Sequence, residues 1–257
     1  MFRSSNPFLK DSQFGSHGFQ EERMSMGGVI NNTAMLLTVV IFFAGLSWIV
    51  SWNEIEAMQA GGSAGGMTII LMLVGIFGGL VSAMILWFTR PENPKTLMFI
   101  YAGFEGLVVG TFSAMAEMFV PGAAIQAMGL TIGIFGMMLF LYKKEIIPYS
   151  KGLHMGIAAA TGAIVLIYMF SFILYLIPGL PQIPFIHSSG LIGIGFSLVV
   201  IVIASLSFII DFNFIEEGIR NGSPKKMEWW GAFGLLVTLI WLYIEILRLL
   251  IKLSGRR

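Results

Sequence analysis

The sequence predicts an all-α integral membrane protein of seven transmembrane helices, built as one membrane domain over residues 31–257 behind a polar tail over 1–30. Three observations predict it. The 257 residues are 56% hydrophobic and 11% charged, too apolar for one soluble core. Apolar stretches near the roughly 20 residues that cross a hydrocarbon core of about 30 Å fall at 33–52, 67–88, 96–118, 124–142, 156–177, 189–211 and 229–251. Between them stand turn-forming segments: "EAMQAGGSAGG", "RPENPK", "VPGA", "KKEIIPYSK", "IPGLPQIP" and "NGSPKK".

The tail contains Arg3, Lys10 and Arg23 but no apolar signal region, so no cleavable leader is expected and the first span inserts itself. The second, fourth and sixth connections carry Arg90 and Lys95, then Lys143, Lys144 and Lys151, then Arg220, Lys225 and Lys226; the first, third and fifth carry no Lys or Arg. Basic residues are retained on the cytoplasmic side, which predicts a cytoplasmic amino terminus. Arg248, Lys252, Arg256 and Arg257 are the exception: they face outward if the seventh segment crosses, unless that segment re-enters and returns. Gly75 with Gly79, Gly106 with Gly110, and Gly129 with Gly133 have the small-xxx-small spacing that lets helices approach. The 17 methionines read as adaptable packing. The absence of cysteine excludes disulfides and thiolate metal sites, and His154 and His187 stand at span edges without a second histidine at ligand spacing.

The informative residues are ionisable groups inside spans, because a charge at mid-bilayer costs a few kcal/mol or more and persists only when paired or wet. Glu105, in "YAGFEGLVVG", lies about 15 Å into the third span at 1.5 Å per residue. Asp211 closes the sixth. Glu245, in "WLYIEILRLL", shares a helix face with Trp241, Arg248 and Lys252 at spacings of four, three and four. Plainer readings stand beside these: Asp211 as an interfacial acid, Glu245 neutralising Arg248 at i,i+3, Glu105 protonated and hydrogen-bonded to backbone. Glu54, Glu56, Glu117 and Glu228, near span ends, read as solvated.

"FIIDFNFI" in the sixth span, "LYIEILRLL" in the last and "MILWFTR" closing the second resemble the corresponding stretches of the Bax inhibitor (TMBIM) family in its bacterial branch, over residues 33–255. The resemblance implies six helices around a central seventh, a bacterial plasma membrane, and pH-sensitive calcium leak; in eukaryotes the family restrains cell death. It aligns Asp211 with the acid of a Tyr-Asp motif, Ile210 replacing the tyrosine, Glu245 with the aspartate of a Leu-Tyr-Leu-Asp stretch, and Arg90 with an arginine closing the second helix. Two departures are the longer link "EEGIRNGSPKKMEWWGAFG" and Glu105, which lies outside the general pattern.

If both helices run straight to the Asn221–Pro224 turn, Asp211 lies about 15 Å and Glu245 about 31 Å from it, too far apart to touch. For them to meet, part of 214–230 leaves the membrane normal, with "MEWW" at the interface and Gly231 or Gly234 at the entry of the last helix. The expected mechanism is then a gate of coupled acids: one shared proton holds the helices together, and its loss drives the carboxylates apart, admits water and attracts a cation. Glu105 is expected to face the bundle interior on the same ion pathway as Asp211 and Glu245; calcium suits two or three such acids, as a transient ligand at Asp211 and Glu245, with Arg90 and Arg248 as counter-charges. The expected partners are lipid and cations, with no resident cofactor and no nucleic acid; the oligomeric state is left open. The alternative is a non-transporting regulator that binds a membrane protease or other helical partner. An enzyme ranks third. Glu245 stands where a retinal receptor needs lysine, and "HSSG" at 187–190 sits at a span edge, away from any cavity a serine protease would use.

Overall fold

The computed structural model describes residues 23–62, 66–177 and 188–255. Most of the amino-terminal tail, the 178–187 connection with His187, and Arg256 and Arg257 lie outside them. The chain forms α1 (Met26–Gln59), α2 (Met67–Thr89), α3 (Lys95–Phe119), α4 (Ala123–Lys143), α5 (Lys151–Leu176), α6 (Leu191–Arg220) and α7 (Met227–Ser254). All seven are long and apolar enough to cross a membrane. Among the described residues the one β-contact is the isolated bridge between Arg23 and Pro224. The connections at the end where α1 begins carry Arg90, Lys95, Lys143, Lys144, Lys151, Arg220, Lys225 and Lys226; this is the basic end of the bundle.

The link between the last two helices does not bend aside. α6 continues through Asp211 to Arg220, and α7 starts at Met227 after a turn in which Gly222 takes φ +66°. Gly231 and Gly234 therefore lie inside α7 rather than at its entry. At about 45 Å for 30 residues, α6 exceeds a hydrocarbon core of about 30 Å, so its last turns carry Glu216, Glu217 and Arg220 beyond the apolar layer.

α7 packs against α1, α3, α4 and α6, while α2 leans on α3 and α1 and α5 leans on α6. Two apolar clusters meet at it. Ala232, Leu236 and Ile240 pack with Leu36, Val40, Leu86, Met98 and Tyr101 from α1, α2 and α3. Leu235, Leu242, Ile246 and Leu247 pack with Ala204, Phe208, Ile209 and Phe212 of α6 and with Ala127 and Met138 of α4.

Lipid tails are as apolar as leucine, so helices associate here through close packing rather than exclusion from water. Two of the three glycine pairs serve that purpose. A Cβ on Gly110 would lie 2.0 Å from the Ala44 carbonyl oxygen, and one on Gly106 would lie 2.6 Å from that of Val40, so α3 presses backbone to backbone on α1. Gly75 and Gly79 seat α2 on α3 in the same way, against the Phe104 carbonyl and the Glu105 carboxylate. Gly129 and Gly133 face open space, and their spacing carries no helix contact.

Three of the acids expected to be solvated instead cap helices. Glu54 accepts from the backbone N–H groups of Met67 (3.1 Å) and Thr68 (2.6 Å) at the start of α2, and Glu117 accepts from those of Gly122 and Ala124 (3.4 Å) at the start of α4. Both helices begin at a left-handed glycine, Gly66 and Gly122, which turns the chain but offers no capping side chain. Glu228, 3% exposed, accepts from the backbone N–H of Ser25 (2.9 Å) and from its hydroxyl (2.8 Å), just ahead of α1. Glu56 accepts from the Trp52 indole at 2.7 Å.

Gly110→Ala is expected to lower stability by about 1–3 kcal/mol through overpacking, whereas Gly133→Ala is expected to be neutral or stabilising by up to about 1 kcal/mol through helix propensity. Unfolding in detergent, followed by circular dichroism, checks the pair; equal effects at both positions would contradict the assignment of contacts.

Candidate functional site

α7 carries buried polar side chains in heptad register: Thr238, Glu245 and Lys252. In a helix packed among apolar neighbours this places one polar stripe along a single face. The stripe faces α6. At its lower end the Thr238 hydroxyl donates to Asp211 Oδ2 at 2.7 Å. Gly234, one turn earlier, leaves room for the same carboxylate: a Cβ there would stand 3.3 Å from Asp211 Oδ1. Asp211 is thus nine residues inside α6, turned into the bundle, rather than the first residue of a loop.

Higher on the stripe Glu245 is 0% exposed. Its Oε1 accepts from Ser197 of α6 at 2.8 Å, and its Oε2 accepts from the Tyr168 hydroxyl of α5 at 2.8 Å and from Arg248 Nη1 at 3.1 Å. The Arg248 guanidinium lies over the Tyr168 ring at 4.6 Å. Lys252, 4% exposed, donates to Ser197 Oγ at 2.7 Å and to the Gly193 carbonyl at 3.0 Å. A buried carboxylate, a buried lysine and the partly exposed Arg248 therefore share one site on three helices. The i,i+3 neutralisation of Glu245 by Arg248 is present, as the plainer reading had it.

The structure does not join Asp211 to Glu245. The threonine that holds Asp211 precedes Glu245 by seven residues, about 10.5 Å along α7. Between the two levels stand Ala204 and Phe208 on α6 and Leu242 on α7, each 0% exposed and part of one apolar cluster. Phe135 of α4 backs this layer, its ring centroid 5.2 Å from that of Phe208. The expected coupled pair, and with it a cation held jointly by both acids, is corrected to two polar sites separated by an apolar layer.

Glu105 belongs to a third site. It faces α2 at Gly79, where a Cβ would stand 3.0 Å from Glu105 Oε1, one turn after Tyr101 on α3. The Tyr101 ring in turn meets Phe233 of α7 at 4.9 Å, so the contact with α7 is aromatic and the polar stripe does not include Glu105. Arg90 is exposed at the end of α2, at φ 39°, with its guanidinium 6.0 Å from the Trp87 ring centroid. Among the described residues it pairs with no carboxylate, and Arg248 is the counter-charge at Glu245 alone. His154 meets the Tyr149 hydroxyl at 3.0 Å, and among the described residues no three His, Asp or Glu side chains gather to hold a metal.

The expectations missed Tyr168, Ser197 and Thr238, hydroxyls too common in spans to stand out; the signal that could have found Thr238 and the role of Lys252 was their spacing of seven on either side of Glu245. Ser113 and Tyr243 join α3 to α7 at 2.7 Å in the same way.

Fold and site together define a helical integral membrane protein with a charged seam along its last helix. A family model described as Bax inhibitor 1 like matches residues 6–255, and the chain belongs to that family. No curated protein matches it.

Breaking a buried ion pair from one side strands the other charge, at about 3–5 kcal/mol. Arg248→Met is expected to destabilise the protein by that order, and adding Glu245→Gln to recover a large part. A double-mutant cycle on unfolding in detergent checks this; simple additivity would contradict the coupling.

Proposed function

We propose that the seam between α6 and α7 is the closed state of a pH-sensitive cation pathway, with calcium as the cation that the family resemblance favours. The observation that carries the reading is Glu245, a carboxylate with no solvent contact inside a span, fully engaged by side chains of three helices. A purely structural contact here could be apolar at no loss of stability, since buried ion pairs are often matched by well-packed hydrophobic residues. Intramembrane ionisable groups mark ion and proton paths by default.

On this reading a cation from the basic end first meets Asp211, whose hydrogen bond comes from a neutral hydroxyl. The layer of Phe208 and Leu242 blocks it, because an apolar constriction excludes water. Beyond that layer Arg248 occupies Glu245 as a tethered cation, and it must leave before a mobile one can bind. Arg248 is the partner suited to leave: its side chain is 29% exposed, against 1% for Glu245. Calcium accepts carboxylate oxygens in irregular geometry completed by water, which suits single acids visited in turn. Asp211 carries the pH dependence, since its charge has no paired cation among the described residues. The concentration of basic connections at one end supports a cytoplasmic amino terminus, and the resemblance to the family's bacterial branch supports a bacterial plasma membrane.

Calcium flux into liposomes holding the purified protein, at acidic and at neutral pH, tests the reading. Wild type is expected to conduct with a clear pH dependence, Asp211→Asn to flatten that dependence, and Glu245→Gln to reduce flux by about tenfold or more, because it leaves two cations without their carboxylate. Flux at the protein-free level throughout would reject the pathway in favour of a non-transporting regulator.

A further inference from the structure

The face of the bundle formed by α1 and α3 carries a groove of about 470 Å³ that lies outside the charged seam. Val39 and Phe43 of α1 form one wall, and Phe99, Gly103 and Leu107 of α3 form the other. Lys95 closes its end. From Lys95 to Leu107 the groove follows α3 for twelve residues, about 18 Å, close to the half-thickness of about 15 Å of a bilayer core. It begins at the basic end of the bundle, where α3 starts, and it ends about halfway along that helix.

We propose that this groove holds one glycerophospholipid with an anionic headgroup, its acyl chain lying along α3 and its phosphate on Lys95. The site has an apolar trough and a cation at its mouth, the two chemistries of such a lipid in the order and spacing a leaflet imposes. Gly103 lets the two walls approach at the floor of the groove: a Cβ there would stand 3.4 Å from the Phe43 ring. Lys95 Nζ stands 5.6 Å from the Trp229 ring centroid, a cation–π contact that fixes the ammonium at the interface while leaving its N–H groups to donate. Thr96 adds a hydroxyl to the same mouth. No carboxylate lines the groove, and Glu92, exposed on the preceding connection, lies outside the lining. Lys226 is exposed three residues before Trp229 on α7, adding positive charge on the neighbouring element. A zwitterionic headgroup would bring its own cation to this mouth; an anionic one does not. The lipid would bridge α1 and α3 where Gly106 and Gly110 hold them backbone to backbone, so its binding is expected to stabilise that joint. The proposal does not depend on the ion-pathway reading.

Full-length protein in neutral detergent, titrated separately with phosphatidylglycerol and phosphatidylcholine of the same chains, tests it through lipid retained in native mass spectrometry and through thermal unfolding. Wild type is expected to retain one phosphatidylglycerol with about fivefold preference, the effect of one basic side chain at an anionic surface, and to gain thermal stability from it. Lys95→Gln should lose that preference while unfolding as wild type does in phosphatidylcholine. Ile100→Trp, at an exposed position in the lining, should obstruct retention of both lipids. Equal retention of the two lipids by wild type, an unchanged preference in Lys95→Gln, or the same stabilisation by inorganic phosphate alone would each overturn the proposal.

Discussion

Glu245 has no contact with solvent, and each of its oxygens is engaged by a side chain from a different part of the chain. A carboxylate in that position dictates much of what surrounds it. Leaving it unpaired in a low-dielectric interior costs several kcal/mol, so α5 must present Tyr168, α6 must present Ser197, and α7 must carry Arg248 one turn on. Those demands fix the rotation of α7 about its own axis. Once Glu245 faces α6, heptad spacing brings Lys252 to Ser197 and Gly193 above and Thr238 to Asp211 below. The same rotation turns Leu236 and Ile240 toward α1 and α3, and Leu242 toward α4 and α6. The packing of α7 on α1, α3, α4 and α6 thus follows from satisfying one charge as much as from burying apolar surface.

The ends of the bundle obey a related constraint. Every helix start leaves N–H groups without partners, and a carboxylate near them is favoured by both hydrogen bonding and the helix dipole. Glu54 and Glu117 meet that need within single hairpins, from the last turns of the preceding helix. Glu228 meets it across 203 residues, tying the first turn of α7 to the start of α1. With the backbone bond from Met24 N–H to the Ser223 carbonyl at 2.8 Å, this closes the basic end around the α6–α7 turn. Side chains near Asp211 are held between that closure and the Glu245 network, which suits a seam that opens as a unit.

The helices were legible because a span needs one long apolar run, and the runs are there. What depends on long-range partners was not. Gly106 with Gly110 and Gly129 with Gly133 have one spacing, yet the first pair touches α1 and the second touches nothing, because the neighbour decides and the pattern does not name it. Glu228 read as solvated for the same reason: its partner Ser25 is at the other end of the chain. Asp211, Glu245 and Arg248 were each found by the cost of charge in lipid, but their grouping was misjudged. Straight-helix arithmetic already put Asp211 and Glu245 at different depths, and the structure follows that arithmetic rather than the bend that would have joined them. The alignment with a family arginine suggests a counter-charge role for Arg90, whereas the structure leaves it exposed at the end of α2, beside Trp87.

The central claim is that two polar sites on one seam are kept apart by an apolar layer of Phe208 and Leu242. Its most direct measurement is cation flux through Leu242→Ser in liposomes, with unfolding recorded in parallel. A hydroxyl at that level should admit water and raise flux by about tenfold or more over wild type at the same pH, as expected where an apolar constriction gates by dewetting. A folded Leu242→Ser protein with wild-type flux would contradict the account.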